Sequence, residues 1–172
     1  MVAKQKRKII VLLDTHALIH RSYHAIQGLT DPSGAPVGAV YGVASTIIKI
    51  VKDLKPDYIL AAYDLPGPTH RHEVYKEYKA TREKADDELV VQIQRSRDIL
   101  HALSIPIYEA PGFEADDIIG TLTEQAKKEY DIIIASGDMD TLQLVEKNRV
   151  RVFTMKKGIN DTILYDEEAV VR

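Results

Sequence analysis

The chain has 172 residues, 45% hydrophobic and 28% charged, which suits one compact domain, and no apolar run comes near the roughly 20 residues that a bilayer span requires. It has no cysteine, which excludes disulfides, thiolate zinc sites and cysteine nucleophiles and leaves any metal to oxygen or imidazole ligands. A net charge of -3, from 23 Lys+Arg against 26 Asp+Glu, speaks against a simple polyanion-binding protein, but the charge is unevenly placed. Between Glu109 and Asp140 stand nine carboxylates against two lysines, whereas Arg71 to Lys84 holds five basic residues against three glutamates. The basic start, Met1 to Lys8, leads into only five apolar residues, Ile9 to Leu13, too few for a secretory leader, so a cytoplasmic protein is expected.

In chain order, the β-rich run Lys8 to Leu13 predicts a strand buried on both faces. The turn cluster Thr30 to Pro36 precedes a helix over Val40 to Leu54, with Val40, Val43, Ile47, Ile50, Val51 and Leu54 on one stripe. Tyr58 to Tyr63 is a second strand, stopped by Pro66-Gly67-Pro68. Further helices are expected over Glu88 to Leu103 and Ala115 to Glu129, and further strands over Ile105 to Tyr108, Asp131 to Ala135 and Val150 to Phe153. Lys156-Lys157-Gly158 reads as a hairpin tip. Strands alternating with helices at this spacing mean βαβ units, hence an α/β fold with a mostly parallel central sheet flanked by helices. One domain over residues 1–172 is expected, with 66–87 as a long insertion after the second strand.

Three strands run into aspartates: Asp14 after the first, Asp64 after the second, and Asp138 with Asp140 beyond DIIIASG. Ligands of open parallel sheets bind beyond the carboxyl ends of the strands, so these residues converge at one edge. Glu114, Asp116 and Asp117 join them at the start of the helix that follows Pro111-Gly112. Each alone has an ordinary use, since carboxylates in a first helical turn act as caps and strand-end aspartates form Asx turns. Seven together would repel one another, and hard divalent cations relieve that repulsion. Mg²⁺ or Mn²⁺ suits oxygen ligands, and two such ions roughly 3.5–4 Å apart clamp the attacking and leaving oxygens of a phosphodiester.

In THRHEVYKEYKATR, residues Arg71, Tyr75, Tyr78, Lys79 and Arg82 would share one face of a single helix. Such a cationic and aromatic face suits a nucleic-acid strand, the charges meeting phosphates and the tyrosines stacking on bases, with Lys79 and Arg82 placed to offset transition-state charge. A solvated helix carrying ordinary ion pairs to Glu73, Glu77 and Glu83 is the alternative. His16, His20 and His24 recur at i, i+4, i+8, but the neighbouring oxygen ligands favour a harder ion than imidazoles select. Arg21 beside them is a candidate phosphate contact.

The motifs IIVLLDTHALIHRSYHA, AVYGV, YDLPGPTHRHEVYKEYKATR, PGFEADDIIGTL and SGDMDTLQLV, in this order, resemble the 5′-to-3′ exonuclease (flap endonuclease) domain at the amino terminus of bacterial DNA polymerase I. The resemblance spans nearly the whole chain. It implies a PIN-like fold with a helical arch over residues 66–87 and two divalent ions, Mg²⁺ or in its place Mn²⁺. The implied activity is hydrolysis of phosphodiesters at 5′ ends and flaps of branched DNA and at RNA-primed ends, in replication and repair. Position by position, it implies that Asp14, Asp64, Glu114, Asp116, Asp117, Asp138 and Asp140 are metal ligands. Tyr78, Lys79 and Arg82 would belong to the arch, with Lys79 near the scissile phosphate, and Arg21 and Arg71 would contact DNA. It further implies a nucleoid-associated monomer working with a DNA polymerase or a separate duplex-binding module. The family continues into a helix-hairpin-helix that grips duplex DNA, and this sequence stops at Arg172, before it.

Two other functions are consistent with the residues. One is a nucleic-acid-binding homologue with little turnover that needs a partner. The other is a phosphotransferase, since Asp138-Met139-Asp140-Thr141 resembles the D-x-D-x-T loop of haloacid-dehalogenase-type enzymes, although there the first Asp follows its strand directly and here Ser136-Gly137 intervene.

Overall fold

The computed structural model describes residues 6–75, 77–78, 85–157 and 161–171. Its centre is a six-stranded sheet in the order β3-β2-β1-β4-β5-β6. The strands are β1 (Ile9–Asp14), β2 (Tyr58–Ala62), β3 (Ile107–Tyr108), β4 (Asp131–Ala135), β5 (Val150–Lys157) and β6 (Asp161–Tyr165). The first five are mutually parallel and β6 returns antiparallel to β5.

Alternation along β1 divides the core. Val11 and Leu13 face a cluster built with Leu18 and Ile19 of α1 (Thr15–Ala25), Val43, Ile47 and Ile50 of α2 (Gly38–Leu54) and Leu89 and Leu100 of α4 (Asp87–Ala102). Ile10 and Leu12 face the other side, against Ala115, Ile118 and Ile119 of α5 (Ala115–Ala126). A strand covered on both faces must be apolar throughout, which is why IIVLL shows no polar alternation. Among the described residues no helix is long and apolar enough to cross a membrane.

The stripe expected on α2 is rotated. The helix buries Ala39, Val43, Ile47 and Ile50 with Gly42 and Thr46, and leaves Val51 49% exposed. The reason is close approach to α1: a Cβ on Gly42 would lie 2.4 Å from the Ser22 side chain, and one on Gly38 would lie 2.0 Å from the Ile26 carbonyl oxygen. Only glycine lets the two backbones meet there, and that contact fixes which face of α2 turns inward.

The long helix expected from Arg71 to Arg82 is not formed. Helix α3 covers only His70–Val74, and Tyr75 is extended at φ -138°, ψ 101°. Arg71 therefore sits in the helix while Tyr78 lies in a turn beyond it, its N–H donating to the Tyr75 carbonyl at 3.0 Å. Lys156 and Lys157 extend β5 rather than turning, and Gly158 lies outside the described residues. A 3-10 helix, Met139–Leu144, and a short α6, Glu167–Val171, complete the chain.

Candidate metal centre

The sheet order reverses at β1, with β2 on one side and β4 on the other, and the crevice of such a switch point opens beyond the strand ends. Asp14 ends β1 and caps α1: its Oδ1 accepts from the Ala17 N–H at 3.1 Å. Its Oδ2 accepts from the Ser136 hydroxyl at 2.6 Å, and the Ser136 Oγ accepts in turn from the Asp138 N–H at 2.9 Å. The tips of β1 and β4 are thus tied through one hydroxyl. Asp14 is only 3% exposed, and burial pushes its carboxyl up to about 6, with the nearby charges of Asp116 and Asp64 adding to the rise.

Asp64 lies two residues past β2, where its Oδ1 accepts from the Ala115 N–H at 2.5 Å and its own N–H donates to His16 Nδ1 at 3.3 Å. Asp138 caps the 3-10 helix by accepting from the Asp140 N–H at 2.9 Å, and its carbonyl accepts from the Thr141 hydroxyl at 2.6 Å. Glu114, 6% exposed, caps α5, and its N–H donates to Asp117 Oδ2 at 2.9 Å in a reciprocal capping box. Both uses offered by the sequence, cap and cleft carboxylate, therefore apply to Glu114.

The seven carboxylates do not share one cavity. Asp14, Asp64, Glu114, Asp116 and Asp138 line a cavity of about 820 Å³, together with Arg21 and the three histidines of α1. Asp116, Asp117 and Asp140 line a second, of about 220 Å³, with Arg71 and Thr141. Asp116 borders both. Among the described residues no three histidine or carboxylate side chains are closed into a ready coordination shell. The donor set nonetheless fits hard divalent cations: all carboxylate oxygen, with one member buried where its negative charge is unfavourable until a cation offsets it.

Arg71 does not project into open solvent. Its Nη1 and Nη2 donate to Asp117 Oδ2 and Oδ1, both at 2.7 Å, and Nη1 lies 3.3 Å from Glu114 Oε2. Burial opposes the charge on Asp117, yet the Arg71 fork and the Glu114 N–H hold its carboxyl below the usual carboxylate range. The Tyr78 hydroxyl donates to Glu114 Oε2 at 3.0 Å and its ring lies 6.0 Å from the Arg71 guanidinium. Arg21 lines the larger cavity while its Nη2 donates to the carbonyls of Met155 and Lys156, the latter at 2.9 Å. Lys79 and Arg82 lie outside the described residues. Sequence reasoning missed Ser136 and His16 as supports of Asp14 and Asp64; their only sequence signal is that each stands two positions from a strand-end aspartate.

The chain is 42% identical over 166 residues to DNA polymerase I of Chloroflexus aurantiacus, covering 94% of this chain and 18% of that protein. It is 35% identical over 164 residues to the 5′-3′ exonuclease of Aquifex aeolicus, covering 95% of this chain and 55% of that one. It thus spans about a fifth of the length of the first and just over half of the second. A solved structure of bacteriophage T5 flap endonuclease, a pseudo-enzyme-product complex with DNA and metal ions, shares the fold at a TM-score of 0.70 and 17% identity, over 92% of this chain and 58% of that one. Residues 9–172 match the family model of the 5′-3′ exonuclease N-terminal, resolvase-like domain, and the chain belongs to that family.

Proposed function

We propose that this chain is a divalent-metal-dependent nuclease domain that hydrolyses phosphodiester bonds at 5′ ends and 5′ flaps of branched DNA and at RNA-primed ends. The observation that carries the reading is Asp14, buried to 3% exposure in the wall of a cavity that five further carboxylates line, Asp64, Asp86, Glu114, Asp116 and Asp138. The hydrogen bonds from Ser136 and the Ala17 N–H only partly offset the cost of burying this charge, and a cation held beside it would offset the rest. The family and its relatives named 5′-3′ exonuclease and DNA polymerase I support the same reading.

Two Mg²⁺ ions, or Mn²⁺ in their place, would be held by Asp14, Asp64, Glu114, Asp116 and Asp138 in the larger cavity and by Asp117 and Asp140 in the smaller one, with Asp116 bordering both. When bound, such ions supply Lewis-acid charge to the attacking and leaving oxygens of the phosphodiester. The chain's own residues set the geometry. Ser136 and the Ala17 N–H fix both oxygens of Asp14, the Ala115 N–H and His16 fix Asp64, and the Asp140 N–H fixes Asp138. The oxygen of one water would bond to phosphorus as one P–O bond breaks, and the water's proton would end on the leaving oxygen, giving a hydroxyl and a phosphate monoester. Lys79 and Arg82 would offset charge on the phosphate, and Arg21, Arg71 and Tyr78 would contact the strand. The domain would act as a monomer in the cytoplasm at the nucleoid, beside a polymerase or a separate duplex-binding module.

A labelled 5′-flap substrate incubated with the protein is expected to be cut at the junction with Mg²⁺ or Mn²⁺ and left intact in EDTA. No cleavage with either ion, both for this chain and for the chain extended by a helix-hairpin-helix segment, contradicts the proposal.

A further inference from the structure

Among the described residues, the smaller cavity carries three carboxylates, Asp116, Asp117 and Asp140, and one guanidinium, that of Arg71. The guanidinium takes both oxygens of Asp117 at 2.7 Å and lies 3.3 Å from Glu114, so it already stands where positive charge is most favourable. A carboxylate whose two oxygens are engaged by an arginine fork cannot present the same lone pairs to a metal ion. Asp117 Oδ2 accepts from both Arg71 and the Glu114 N–H, so one lone pair, on Oδ1, is left to a cation, and the adjacent guanidinium charge repels it; Arg71 and a divalent ion therefore compete for Asp117.

The arginine is mounted so that its side chain can leave while its backbone stays. The start of α3 is anchored by the His70 N–H to the Gly112 carbonyl at 2.9 Å and by the Thr69 N–H to His72 Nδ1 at 3.1 Å. The pair is partly open to solvent, with side-chain exposures of 32% for Arg71 and 22% for Asp117, so rotation of the guanidinium into the cleft needs no opening of the core. A guanidinium fork matches a phosphate as well as it matches a carboxylate.

We propose that Arg71 is a built-in competitor of the second divalent ion: it holds Asp117 until a phosphate of the substrate strand draws the guanidinium away, and only then is Asp117 offered to metal. Strand and second ion then bind cooperatively, and by linkage each raises the affinity of the other by the same factor. This rests on the metal-centre reading above and adds to it an order of assembly. Arg71 is a positioning residue here, acting through Asp117.

The test is Mn²⁺ binding to the full chain without DNA, followed by the paramagnetic resonance signal of the free ion, for wild type, Arg71→Gln and Arg71→Lys. The weaker class of Mn²⁺ sites should tighten in Arg71→Gln by about two- to fivefold, the scale on which a partly exposed ion pair acts. It should tighten by a smaller factor in Arg71→Lys, which keeps the charge and loses the fork; this variant decides the matter should Arg71→Gln fail to fold. In parallel, the gain in affinity for a labelled 5′-flap oligonucleotide on replacing EDTA by Ca²⁺, read by fluorescence anisotropy, should be smaller in Arg71→Gln than in wild type. Weaker-site affinity that is unchanged or lower in the variants overturns the inference, as does an equal Ca²⁺ gain. No Mn²⁺ binding by wild type contradicts the metal-centre reading instead.

Discussion

Asp14→Asn is expected to lower cleavage of a 5′-flap substrate by roughly a thousandfold, about 4 kcal/mol of transition-state stabilisation, while making the metal-free protein more stable at pH 8. The loss follows because amide replaces the most buried of the cavity's carboxylates. The gain follows from linkage. Burial and the charges of Asp116 and Asp64 raise the folded-state carboxyl from 3.8 to about 6, whereas the unfolded chain gives up that proton at lower pH. The folded state thus binds the proton more tightly; the stability this contributes is complete below pH 3.8 and is lost as pH rises through about 6. Above that range the ionised Asp14 costs the metal-free fold up to about 3 kcal/mol, and asparagine, with an amide oxygen still able to accept from the Ala17 N–H, does not carry that cost. Urea denaturation in EDTA at pH 4 and pH 8 reads the effect. The variant's advantage should appear at pH 8 and vanish at pH 4; equal stabilities at both contradict the account of Asp14.

The second large effect is the divalent-ion dependence of stability. At pH 8, Mg²⁺ at about a hundred times its dissociation constant should stabilise the fold by about 2.7 kcal/mol, a rise in Tm of roughly 5–10 °C for a chain of this size. At pH 5 the rise should shrink, because Asp14 then holds a proton that the ion must displace. EDTA should reverse it, and Asp14→Asn should lose most of it. A Tm indifferent to Mg²⁺ at pH 8 in scanning calorimetry would contradict a metal centre at this edge.

The parallel sheet was legible because its strands are covered on both faces: IIVLL and DIIIA carry no polar alternation, and the aspartates that close the runs mark the edge where the sheet opens. The edge strand β6 escaped notice because only one side of it is paired and its residues are half exposed, so it lacks such a run. At the site, residue types and strand ends located the carboxylates, but their partners are remote in sequence. Ser136 reaches Asp14 across 122 positions, Asp64 meets His16 across 48 and Arg71 meets Asp117 across 46, and no local pattern encodes those distances. The break at Tyr75 has the same origin. Helical spacing alone would carry α3 onward, but Arg71 and Tyr78 are both drawn to the start of α5, by Asp117 and Glu114, and the chain bends between them.

The central claim is that this sheet edge holds divalent cations, and an anomalous-difference map from crystals grown in Mn²⁺ tests it most directly. One peak is expected among Asp14, Asp64, Glu114, Asp116 and Asp138 and, once Arg71 has turned from Asp117, a second bordered by Asp116, Asp117 and Asp140. A map with Mn²⁺ peaks elsewhere on the protein and none at these carboxylates would contradict it.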